Sequence, residues 1–103
     1  MNIVGFITAK DKEEAQKIAD VLVLEKLVAC VNIVPSVQSV FWWEGKVDNS
    51  EEVLMIFKSR KDLFERIVSS VKSAHSYTVP EIIALPVIDG NQDYLKWVKE
   101  STT

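Results

Sequence analysis

The stretch Ser73 to Ile82 reads SAHSYTVPEI and holds the only histidine of the chain, His75, with Tyr77 and Glu81 close behind it. An imidazole, a phenol and a carboxylate within so few residues offer nitrogen and oxygen donors to a divalent metal, or hydrogen bonds to a small ligand. One histidine and one carboxylate are an incomplete ligand set. In a symmetric oligomer the same side chains recur in every copy, and a ring of them binds what one copy cannot. A plainer role for His75 is equally open: at the end of a helix an imidazolium favours the macrodipole and can bond the last carbonyls. His75 with Glu81 would also form an acid–base pair. Nothing around it resembles catalytic machinery, for the chain has no Ser-His-Asp context, no Gly-rich phosphate loop among its three glycines and no Cys-His spacing typical of zinc. A binding protein is expected, not an enzyme.

Three other places carry chemistry. Cys30, the only cysteine, has no partner for an internal disulfide; its thiolate would suit Cu(I) or Zn(II), but its setting in LVACVNIV favours a small buried thiol. Trp42 and Trp43 alternate faces if they lie on a strand, so at least one is expected to meet the core or a partner. Lys58, Ser59 and Arg60 fall where a strand gives way to a helix, a place for an anion on free backbone N–H groups or simply a solvated basic cluster.

These residues must be positioned by alternating strand and helix signals. NIVGFIT reads as a strand ending near Thr8. Ala15, Ile18, Ala19, Leu22, Val23 and Leu27 then recur at helical spacing, with Asp11 and Glu14 resembling a capping box, which predicts a helix from about Lys12 to Leu27. ACVNIVPSVQSVFWW is strand-like, with Pro35 marking a bulge or an edge. EGKVDNSEE supplies turn chemistry, VLMIFK a returning strand, and Ser59 with Asp62 the start of a second helix that buries Leu63, Phe64, Ile67, Val68 and Val71. EIIALPVI is a fourth strand and Gln92 to Glu100 a last short helix packing through Tyr94, Leu95 and Val98. One α+β domain over residues 1–103 follows, with the βαββαβ order of the ferredoxin-like fold, an antiparallel sheet with both crossover helices on one face.

The long hairpin does not fit inside such a domain. From Ala29 to Trp43 a continuous strand would run on the order of 50 Å, whereas a globule of this size is roughly 34 Å across. The hairpin must overhang or bend at Pro35. An overhanging arm tipped with Phe41, Trp42 and Trp43 exposes aromatic surface and strand edges that monomers avoid, so another subunit is expected to cover it.

LVACVNIVPSVQSVFWWEGK, EEVLMIFKS, HSYTVPEIIALPV and DYLKWV, preceded by TAKDKEEAQKIADVL, resemble the CutA family over nearly the whole chain and in the same order. The resemblance implies a ferredoxin-like domain with a long hairpin and a short C-terminal helix, assembled as a homotrimer similar to the P-II signalling trimers. It also implies a role in tolerance of copper and other divalent metals. The positions that match the family's shared pattern include Cys30, Asn32, Trp43, Glu52, Lys58, His75, Tyr77, Glu81, Tyr94 and Trp97. His75, Glu81 and Cys30 are thereby the candidate ligands for a divalent metal such as Cu or Zn, one not required for folding. Lys58, Tyr77, Trp43, Glu52 and Trp97 are candidates for lining clefts between subunits, where a small molecule or a protein partner is the alternative occupant. Ser76 and Thr78 stand where the family usually has a proline and often a glutamate, which leaves one carboxylate fewer here.

Composition narrows the remaining classes. Fifteen acids and twelve bases are scattered in both signs for a net charge of -3, so no basic stripe invites a nucleic acid. The opening MNIVGFITAKDKEEA lacks a cationic leader and its apolar run breaks at Thr8, so neither a signal segment nor a membrane span is expected and the protein is read as cytoplasmic.

Overall fold

A computed structural model describes residues 1–103. Four strands, β1 (Asn2–Ala9), β2 (Cys30–Trp43), β3 (Lys46–Arg60) and β4 (Ile82–Pro86), alternate with α1 (Lys12–Leu24) and α2 (Phe64–Ala74), and α3 (Gln92–Glu100) closes the chain. The sheet is antiparallel throughout, in the order β2-β3-β1-β4. That is the ferredoxin-like arrangement the sequence predicts.

One face of the sheet makes the core. Ile3, Ile7 and Ala9 of β1 and Val53, Met55 and Phe57 of β3 pack against Ala15, Ile18, Ala19 and Leu22 of α1 and Ile67 and Val71 of α2. Gly5 belongs to this face because its cross-strand partner is Phe57, whose fully buried ring lies where a Gly5 Cβ would stand. The alternate residues Val4, Phe6, Leu54, Ile56, Ile83 and Leu85 line the opposite, open face, over which neither α1 nor α2 passes. Ile83 and Leu85 are each more than half exposed.

α1 ends three residues before the predicted Leu27. Lys26 adopts a left-handed φ of 58°, and the amides of Lys26 and Leu27 return to the carbonyls of Val23 and Leu22, the paired bonds of a Schellman stop. Leu27 keeps the helical spacing of its neighbours yet is buried from the turn, not from the helix. The capping expectation holds in modified form: Asp11 Oδ1 accepts from the Glu14 amide, but the Glu14 carboxylate reaches past Asp11 to the Lys10 amide.

The hairpin departs from its predicted form at the turn. Glu44 and Gly45, with φ of 51° and 78°, make the whole reversal as a two-residue turn of the type I′ kind. Val47 through Glu52, DNS included, are therefore strand, paired with residues 37–42. A bulge places Pro35 and Ser36 opposite Val53 alone. The arm gives the molecule a long axis of 44 Å against 25 and 23 Å in the other directions, so it does overhang. Ser59 starts no helix: its buried hydroxyl donates to the Leu27 carbonyl at 2.5 Å, and a single 3-10 turn, Lys61–Leu63, leads into α2.

Candidate functional site

The loop between α2 and β4 brings the SAHSYTVPEI residues to the end of β1 and the root of the hairpin arm. His75 is the residue at which α2 stops, but its ring does not serve the helix's last carbonyls. The side chain is fully buried, with Nε2 2.7 Å from the Thr8 carbonyl and Nδ1 accepting from the Tyr77 amide at 3.0 Å. Because an amide N–H can only donate, Nδ1 is the acceptor and Nε2 carries the proton given to Thr8. Both ring nitrogens are thus engaged with the backbone. Within the chain His75, expected as a metal ligand, is a pin that fixes the loop to β1.

Glu14 completes the pin. Its Oε1 accepts from Lys10 and lies 3.8 Å from His75 Nδ1, while its Oε2 accepts from the Ser76 amide at 2.8 Å. Burial by itself would raise this carboxyl, but hydrogen bonds from Ser76 and Lys10 outweigh it and hold the group below the usual carboxylate range. Sequence reasoning saw Glu14 only as a capping residue. The signal that could have found it is its place four residues before Ile18 and eight before Leu22, on the buried face of α1.

Beyond the pin, Tyr77 packs its ring on His75 at a centroid distance of 4.7 Å and donates its hydroxyl to Glu52 Oε2 at 2.8 Å. Burial, followed by the bond to Glu52 and its charge, holds the phenol protonated far above its ordinary range. Glu81 faces the same space. Its carboxyl is pushed up by burial and then by the negative charge of Glu52. Tyr77 and Glu81 line one wall of a cleft of about 930 Å³ whose other wall is the hairpin arm with Phe41, Trp42, Trp43, Asp48 and Glu52. Four of the residues singled out from the sequence, Glu52, Tyr77, Glu81 and Trp43, therefore converge.

The others do not join them. Cys30 and Lys58 are cross-strand partners level with Val4, four residues along β1 from Thr8, or roughly 13 Å at the rise of a strand. Cys30 is half-buried, not buried as expected: strand alternation turns Val31 into the core and Cys30 onto the open face, where its Sγ is 3.5 Å from the Tyr94 hydroxyl. Trp97 packs against Tyr94 on α3, with centroids 5.5 Å apart, and remains nearly half exposed. The predicted set His75, Glu81 and Cys30 is accordingly split between two ends of the sheet, and no three His, Cys, Asp or Glu side chains of one chain gather as a metal-binding group.

The fold and site define a small ferredoxin-like α+β domain with an overhanging arm and an acidic, aromatic cleft at the arm's root. The chain belongs to the CutA1 divalent ion tolerance family, whose model matches residues 3–101. It is 45% identical over 102 residues to the divalent-cation tolerance protein CutA of Thermus thermophilus, covering 99% of each chain, and that protein's structure superposes with a TM-score of 0.98 over 100% of both chains. It is 48% identical over 101 residues to the chloroplastic CutA 1 of rice, spanning 98% of this chain but only 57% of the rice protein. The structure of an Archaeoglobus fulgidus CutA, described as a periplasmic divalent cation tolerance protein, is 44% identical with a TM-score of 0.95 over 98% of each chain. Family membership supports a role in metal tolerance.

Proposed function

We propose that the protein serves divalent-cation tolerance as a cytoplasmic homotrimer in which each copy offers Glu52 and Glu81 to Cu(II) or Zn(II). One observation carries the metal reading: three acids, Asp48, Glu52 and Glu81, line a cleft that lacks a compensating cation, and burial followed by the charge of Glu52 pushes the Glu81 carboxyl up. A divalent ion relieves that repulsion, and Tyr77 holds Glu52 in place for it. Copies repeated around an axis would supply the further ligands that one chain lacks. The trimer reading is supported by the apolar open face of the sheet and by the overhanging arm, both of which a second and third copy would cover.

Calorimetric titration of the metal-stripped protein with Cu(II) and Zn(II), at a mass fixed by light scattering, tests this. Saturable binding at a whole-number ratio per oligomer is expected. Glu81→Gln should weaken it about tenfold or more, the loss of a charged contact. Binding should also fade as pH drops through the raised Glu81 range. Binding that is absent, or indifferent to both Glu81→Gln and Glu52→Gln, would remove the metal reading.

The volume of the cleft favours a second reading, a P-II-like trimer that takes a small molecule or a protein partner there, since about 930 Å³ lies within the range of ligand pockets. In that case an anionic metabolite would raise the melting temperature and metals would not. Either way the protein binds and does not catalyse; activity screens should not distinguish wild type from Glu81→Gln. The cytoplasmic assignment is checked by cell fractionation, with recovery in the periplasm as the contrary result.

A further inference from the structure

At the far end of the sheet from the acidic cleft, a second cavity of about 260 Å³ lies between β1, β3 and α3. Its walls are largely apolar, formed by Ile3, Val4, Val87, Leu95 and Val98. Lys58 is the only charged residue among its lining. The ammonium has no carboxylate partner in the chain and bonds only the side-chain oxygen of Asn32. Tyr94 lines the same cavity, and its phenol, pushed up to about 12 by the hydrogen bond with Cys30 and then by burial, stays a donor. Two residues further along the same face of β3, Arg60 keeps a buried Nε without a hydrogen-bond partner. The Arg60 guanidinium pairs with Asp62 at 3.6 Å, which leaves the Lys58 ammonium as the uncompensated charge beside the apolar pocket.

We propose that this cavity is a binding site for a small aliphatic carboxylate, its head held by the Lys58 ammonium and the Tyr94 hydroxyl and its tail among Val4, Leu95 and Val98. An apolar pocket with a few convergent donors is the usual build of a small-molecule site. An ammonium without an anionic partner gains most from a carboxylate, because a charge-assisted bond is worth more than its present bond to a neutral amide. At water's share of ~30 Å³ per molecule, the cavity has room for about eight or nine heavy atoms, the size of a six-carbon acid. Inorganic phosphate would satisfy the head but leave the apolar walls empty. The site shares no residue with the acidic cleft, so the two stand or fall separately.

The test is a titration of the isotope-labelled oligomer with hexanoate, hexanol and inorganic phosphate, read by amide chemical shifts. Hexanoate should shift Val4, Val87 and Leu95 saturably with a Kd on the order of 1 mM. Hexanol and phosphate should each bind at least tenfold more weakly. Lys58→Met should weaken hexanoate about tenfold or more. Tyr94→Phe, which removes only the hydroxyl, should weaken it severalfold and serves if Lys58→Met alters the oligomer. No saturable shift, hexanol binding as well as hexanoate, phosphate binding as tightly, or hexanoate binding untouched by both variants would each overturn the proposal.

Discussion

Replacing Gly5 by alanine should destabilise the protein by about 2–4 kcal/mol. The local backbone argues the other way, since a glycine in a strand interior costs roughly 0.5–1 kcal/mol relative to alanine. Gly5 has no left-handed φ to protect. The decisive fact is cross-strand. A Cβ on Gly5 would fall inside the ring of Phe57, which is fully buried among the core residues of α1 and α2. If β1 and β3 spread to admit the methyl, the cost is that of overpacking, about 1–3 kcal/mol. If the ring is driven out, the loss approaches that of deleting it, about 3–5 kcal/mol. Urea unfolding of wild type and Gly5→Ala at one protein concentration measures the difference. Phe57→Leu supplies the control, because it removes the ring that the methyl strikes. Gly5→Ala should cost at least about 1 kcal/mol less in that background. A neutral or stabilising Gly5→Ala, or strict additivity of the two changes, would refute the account.

Other consequences can be measured as readily. Glu14 titrates below its unfolded value, so its contribution is present above the ordinary carboxylate range and is lost as pH falls through the depressed folded value; Glu14→Gln should flatten that part of the stability–pH curve, and an unchanged acid limb would count against the network. Lys26→Gly should raise stability by about 0.5–1 kcal/mol, because a left-handed lysine is strained where glycine is not; a loss would mean that the Schellman stop is not the source of strain. If folding and assembly are coupled through the open face and the arm, the melting temperature should rise with protein concentration, and a flat dependence would point to a stable monomer.

Much of the fold is legible in the sequence because its signals are local. The apolar period of α1, the alternation of β1 and the helix of DYLKWV all survive in the structure. Where the structure differs from that local pattern, the deciding partners are distant in the chain. Leu27 fits the helical spacing, and only the return of its amide to Leu22 shows that the helix has already stopped. Ser59 looks like a helix cap until Leu27 is found to take its hydroxyl. DNS carries turn composition, yet Glu44 and Gly45 already reverse the chain, so these residues extend a strand. The same holds for the site. The closeness of Tyr77 and Glu81 in sequence was a fair guide to their shared cleft, but His75 was drawn inward by Thr8, a carbonyl 67 positions away. The apolar neighbours of Cys30 suggest burial, but the parity of its position in the strand decides its face.

Parity also governs the arm. Before the bulge, Cys30, Asn32 and Val34 share the open face with Leu54, Ile56 and Lys58; after it, Val37, Ser39, Phe41 and Trp43 share that side with Glu52, Ser50, Asp48 and Lys46. The extra residue at Pro35–Ser36 thus acts as a phase shift in an alternating code. Paired without the bulge, the same sequence would set Ser36 opposite Glu52 and Trp42 opposite Lys46, exchanging Trp42 for Trp43 and Val40 for Phe41 on that face. The chemistry of the arm is written by counting residues, and one residue of difference yields the same skeleton carrying the opposite surface.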